Sequence, residues 1–157
     1  MPNLGRLLIG AITVAFLGCV GPFSDDFESQ YPDMNAARAD GAFDRGWLPE
    51  IVPDDSIDIR EMHNISSNVT WGCFVVPSGT EEVRRRLKSL GASRVPGPIS
   101  SGPRGLFRVR AWWPQSMTST TVEAYRFDEV GGAQLSVIVG LDRQQKTTCF
   151  HRRLRAT

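Results

Sequence analysis

The feature that most constrains this chain is a hydrophobic leader that its folded part must do without. Arg6 precedes an apolar run from Leu7 to Leu17, which closes on Phe16-Leu17-Gly18-Cys19. A positive start, an apolar stretch of roughly 7–15 residues and small residues at the cut together make a secretory signal. The run is too short to span a bilayer, which takes about 20 apolar residues. Removal of residues 1–18 from the chain of 157 leaves 139, a length typical of one domain and sufficient to bury a real core. Export also sets the redox surroundings, because disulfides persist outside the cytosol.

The four residues at the cut resemble the bacterial lipobox: Leu, a small or aliphatic residue, Gly or Ala, then Cys. Phe16 stands where Leu is usual. The resemblance implies that Cys19 becomes the acylated N-terminus. Several acyl chains on one sulfur anchor stably, since each buried methylene contributes about 0.8 kcal/mol. The mature protein is then held at a membrane by its N-terminal lipid without spanning it. Val20, in place of the Asp that retains Gram-negative lipoproteins at the inner membrane, favours the outer membrane of the cell envelope, facing the periplasm. An ordinary signal cut nearby, leaving Cys19 a plain thiol, is the alternative.

Without Arg6 the mature part carries 17 basic and 17 acidic side chains, so no global field favours nucleic acid. Cys73 and Cys149 lie in the strand-like stretches Trp71-Gly72-Cys73-Phe74 and Thr148-Cys149-Phe150. An oxidising compartment allows them to pair, and closing so long a loop stabilises by about 4 kcal/mol in the chain-entropy model. Two separately buried thiols are the other reading.

Residues 19–32 combine Pro, Ser and acidic groups without periodicity and read as a lipid-anchored tether, with the domain at 33–157. Asp33 offers an N-cap to the Ala-rich MNAARADGAFDR, which Gly46 can end. Pro49 and Pro53 make GWLPEIVPDDS an ordered loop anchored inward by Trp47, Leu48 and Ile51. Alternation predicts strands at SIDIREMHN and VTWGCFVVP. The clearest helix is EEVRRRLKSLGA, acidic in its first turn and basic later, with Val83, Leu87 and Leu90 on one stripe and Gly91 at its end. GLFRVRAWW, TVEAYRFDE, QLSVIVGLD and KTTCFHRRL read as a C-terminal antiparallel meander, with short links at Gly131-Gly132 and Asp142 to Gln145. The fold class is α+β: a single domain with a mostly antiparallel sheet of five to six strands, one main helix on a face and a short N-terminal helix. The Gly/Pro/Ser stretch 95–105 is the least structured interior segment.

Asp54, Asp55, Asp58, Glu61 and His63 gather carboxylates and an imidazole within ten residues, and such groups ligate cations or move protons. On a strand Glu61 and His63 face one way and Asn64 the other. No second imidazole lies nearby, and no H-E-x-x-H or C-x-x-C spacing occurs. The cluster of Asp58, Glu61, His63 and Asn64 therefore reads first as structural and polar. No G-x-S-x-G elbow and no phosphate-binding glycine loop is present. Neither a catalytic residue, a metal nor a cofactor is assigned. His151-Arg152-Arg153-Leu154-Arg155 makes a modest basic patch for anionic head groups. Of Trp112 and Trp113, one ring packs inward and its neighbour outward.

GWLPEIVP, then DIREMHN, then N-x-x-W-G-x-F form an ordered pattern carried by Gly46, Trp47, Leu48, Pro49, Pro53, Asp58, Ile59, Glu61, His63, Asn64, Asn68, Trp71 and Phe74. It resembles small bacterial lipoproteins and exported proteins of uncharacterised role that carry a YbbD head domain, and it covers roughly residues 38–76. The resemblance implies an exported α+β domain and transfers no activity. The expected role is that of a membrane-anchored envelope lipoprotein that binds a ligand or an envelope protein partner without catalysis. A small periplasmic enzyme using Asp58, Glu61 and His63 is the alternative.

Overall fold

A computed structural model describes residues 25–103, 110–120, 122–129 and 135–154. Cys19 with its leader, residues 104–109, the Gly131-Gly132 link and Arg155 lie outside them. Among the described residues seven strands form one sheet: β1 (Asp26–Asp33), β2 (Ile57–Asn64), β3 (Val69–Val75), β4 (Ser93–Val95), β5 (Glu123–Glu129), β6 (Leu135–Asp142) and β7 (Thr147–Leu154). Their order is β1-β2-β3-β7-β6-β5-β4, and every neighbouring pair is antiparallel. Two α-helices, α1 (Met34–Ala39) and α2 (Glu81–Ser89), and a 3-10 turn at Gln115–Thr118 complete the fold.

The α+β class and the antiparallel β5-β6-β7 part of the C-terminal meander are as expected, but the sheet has seven strands where five to six were expected. One extra strand is β1, whose residues the sequence assigned to the tether. Phe27, Ser29 and Tyr31 share the face of their β2 partners His63, Glu61 and Ile59, while Asp26, Glu28 and Gln30 face the other way. The bond from the Ile65 N–H to the Asp25 carbonyl sets the phase of this ladder. Position 32 therefore points to the open edge, where the N–H missing from Pro32 is not needed. The second addition is β4, only three residues long. Conversely, Arg110 to Trp113, the described end of GLFRVRAWW, form a turn leading into the 3-10 segment and not a strand.

α1 starts where expected, with the Ala36 N–H donating to Asp33 at 2.9 Å. It stops at Ala39, short of the expected Gly46. α2 buries Val83 and Leu87, and Gly91, at φ +70°, follows its end. Leu90, expected on the same stripe, is exposed. Arg86 in α2 donates to the carbonyls of Glu50 and Val52, both at 3.0 Å, and so fastens the proline-containing loop to the helix.

The sheet is covered on both faces. On one, α1, α2 and the 47–52 loop supply Met34, Leu48, Ile51, Val83 and Leu87 against Ile59, Phe74, Val137, Val139 and Phe150. On the other, Ile99, Trp113 and Met117 pack over Ala124, Cys73 and Cys149. Two glycines make these fits. A Cβ at Gly72 would lie 2.4 Å from the Phe150 ring, which fills that space, and a Cβ at Gly140 would lie 2.8 Å from Met117 Sδ and 2.9 Å from Ile99. Cys73 and Cys149 are directly opposed on β3 and β7, and their sulfurs stand at disulfide distance, 2.01 Å.

Candidate functional site

The alternation of β2 puts Ile59, Glu61 and His63 on the helix-covered face. Glu61 is 0% and His63 6% exposed, and His63 Nδ1 lies 3.0 and 3.2 Å from the two carboxyl oxygens of Glu61. Residues from outside β2 enclose the pair. The Trp47 ring stacks on His63 at 4.0 Å between centroids, Phe27 of β1 stacks on it at 5.6 Å, and the Arg45 guanidinium lies 3.9 Å over Trp47. The result is a layered arrangement of Phe27, His63, Trp47 and Arg45 above one buried carboxyl group.

Burial raises the Glu61 pKa above the ordinary carboxylate range, and hydrogen bonds from His63 and Ser29 with the charges of His63 and Arg45 offset only part of that. A carboxyl and an imidazole at this distance can share a proton.

The remaining acidic residues of the ten-residue cluster go elsewhere. Asp58 has φ +46° at the register shift between Ile57 and Arg60, where β2 bulges against β3. Its carboxylate accepts from Arg60 at 3.2 Å and Gln30 at 3.3 Å, so it does not join Glu61 and His63. Asn64 caps the turn into β3: its Oδ1 accepts from the Ser67 N–H and hydroxyl at 2.7 Å, and its Nδ2 donates to Asp26 at 2.7 Å. Asp54 pairs with Arg38, and Asp55 accepts from Ser78. Among the described residues no three His, Cys, Asp or Glu side chains come together in a cation-holding group.

A second ionic cluster joins α2 to the sheet. Glu123 of β5 accepts from Arg84 Nη2 at 3.0 Å, Arg143 Nε at 3.0 Å and the Tyr125 hydroxyl at 2.7 Å. Burial works against its charge, but hydrogen bonds from Arg84 and Tyr125 and the charges of Arg84 and Arg143 prevail and lower its pKa to about 2. Open clefts of about 610 and 650 Å³ flank this cluster, the first beside Arg94 and Arg143, the second beside Arg85, Lys88 and Tyr125. The expected C-terminal basic patch is smaller than the sequence suggests. His151 stacks on Trp71 at 5.4 Å, its pKa lowered to about 4 by burial and by the Arg153 charge, while Arg152 pairs with Glu129 at 2.9 Å and donates to the Gly46 carbonyl. Trp113 is buried, while Trp112 is half-buried and donates to Glu28 at 2.6 Å.

Residues 25–75 match the family model described as the YbbD head domain. This third of the chain is similar to that domain. It starts upstream of the pattern read from the sequence and takes in β1, α1, the proline loop, β2 and β3, hence Phe27, Arg45, Trp47, Glu61 and His63 together. No curated protein and no solved structure matches the chain. The residues that carry the resemblance have visible structural work. Leu48, Ile59 and Phe74 are core, Trp47 covers His63, Asn64 and Asn68 (φ +52°) shape the turn, and Asp58 occupies the bulge.

Proposed function

We propose that this protein is a lipid-anchored component of the bacterial cell envelope, held at the outer membrane through Cys19 and facing the periplasm, which binds an envelope protein or a ligand and carries out no catalysis. The observation that supports the anchor is the sequence Phe16-Leu17-Gly18-Cys19 at the end of an apolar run, a few residues before β1 begins at Asp26. The Glu61–His63 pair supports a reading without catalysis, since its carboxyl group is fully buried and committed to His63 and Ser29. Replacing Cys19 with Ser tests the anchor by labelling cells with a radioactive fatty acid. The wild type is expected to carry the label and the variant to lack it; a wild type without label contradicts the proposal.

A second reading, a small periplasmic enzyme built on Glu61 and His63, rests on one observation. Carboxyl groups with raised pKa values beside an imidazole are frequent in catalytic sites. Asp58, which the sequence grouped with them, is turned toward Arg60 and Gln30 and takes no part. His63→Ala separates the two readings. Enzyme action requires a correctly folded variant that has lost turnover of an identified envelope substrate, whereas the binding reading expects loss of stability with no turnover to lose.

A further inference from the structure

The sheet has two ends, and its exposed apolar side chains are not shared evenly between them. Antiparallel register aligns Phe27 of β1, His63 of β2, Thr70 of β3 and Arg152 of β7 in one row. Beyond that row, toward the chain's entry at Asp25, lie Ile65 in the β2–β3 turn and Leu154 at the end of β7. Five large hydrophobic side chains are exposed among the described residues, and three of them are here: Phe27 at 43%, Ile65 at 66% and Leu154 at 49%. Ile57 lies at the opposite end of β2.

The chain places this same end near Cys19. Only residues 20–24 separate Cys19 from Asp25, and at about 3.3–3.6 Å per residue the connection reaches about 20 Å even when fully extended. β1 is what shortens it, because it takes up eight residues that would otherwise lengthen the tether. A globule held this closely by its apolar end has little room to turn that end away from a bilayer.

We propose that the end of the sheet carrying Phe27, Ile65 and Leu154 rests on the lipid surface and inserts Ile65 into its interfacial layer; this rests on the acylation of Cys19 proposed above. The contact is apolar in character. Arg45, Arg152 and Arg153 lie at this end, but so do Asp25, bonded to Ser66, Asp26, bonded to Asn64, and Asp128 and Glu129 of β5, in register with Arg153 and Leu154, so anionic head groups gain little net attraction. Apolar insertion of this kind scales with buried apolar area and is insensitive to salt.

The test uses the full acylated protein in phosphatidylethanolamine and phosphatidylglycerol vesicles, with an environment-sensitive fluorophore on Ile65→Cys or, as control, on Ile57→Cys. Both positions are exposed, so the labels leave the core alone. The expected result is a blue-shifted probe at position 65, quenched by brominated acyl chains and unchanged in high salt, with a water-like probe at position 57. Protein that floats with vesicles while both probes stay water-like overturns the inference and leaves the anchor standing. Protein that does not float overturns both.

Discussion

An added methyl group at Gly72 would meet two Phe150 ring carbons at 2.4 Å and the Arg60 carbonyl at 3.1 Å. Phe150 is fully buried and cannot swing away, so Gly72→Ala is expected to cost about 1–3 kcal/mol as overpacking, read as a lower urea midpoint. An unchanged midpoint would mean that the ring does not occupy the space above position 72. Glu61 acts through pH. Its folded pKa is raised by burial, so the folded protein holds the proton more tightly than the unfolded chain. The stability this provides is full below the ordinary carboxyl range and is lost as pH rises through the folded pKa. Glu61→Gln, which stays neutral, is expected to lose that part of the pH dependence. Parallel stability–pH curves for variant and wild type would contradict the raised pKa.

At the scale of elements, two links join parts of the chain that are far apart in sequence. The Cys73–Cys149 pair joins β3 to β7, on which the two halves of the sheet meet. Replacing both by Ala is expected to lower stability by about 2–5 kcal/mol under oxidising conditions, and denaturation with and without reductant measures it. The Arg84–Glu123–Arg143 cluster ties α2 to β5 and to the β6–β7 turn. Glu123 titrates at about 2 in the fold, below its unfolded value, so its contribution is present above the ordinary carboxylate pKa and is lost as pH falls toward 2. Glu123→Gln is expected to flatten this acid limb of the stability curve; an unchanged limb would contradict the pairing. α2 was legible from the sequence because its charge order, its Val83/Leu87 stripe and Gly91 are all local signals. β1 was not, since an edge strand that fully buries only Tyr31 leaves a polar text, DFESQYPD, that reads as tether. The site divides in the same way. Alternation along β2 suffices to put Glu61 and His63 on one face, but nothing local says that Trp47, Arg45 and Phe27 will close over them from a loop and from the edge of the sheet. Asp58 was misplaced because a one-residue bulge at a positive φ turns its carboxylate toward Arg60.

For the whole molecule, the sheet sets one geometry: a domain with both faces covered, whose entry end carries three of the five large apolar side chains exposed among the described residues and lies within about 20 Å of Cys19. Acidic and basic side chains balance, 17 of each, once Arg6 is set aside. The proposed anchor and the lipid-facing end both depend on the fate of Cys19. The intact mass of the protein isolated from bacterial membranes tests this most directly. The account predicts a chain that lacks residues 1–18 and carries acyl chains on Cys19; a full-length chain of unmodified mass, recovered from the cytosol, would contradict it.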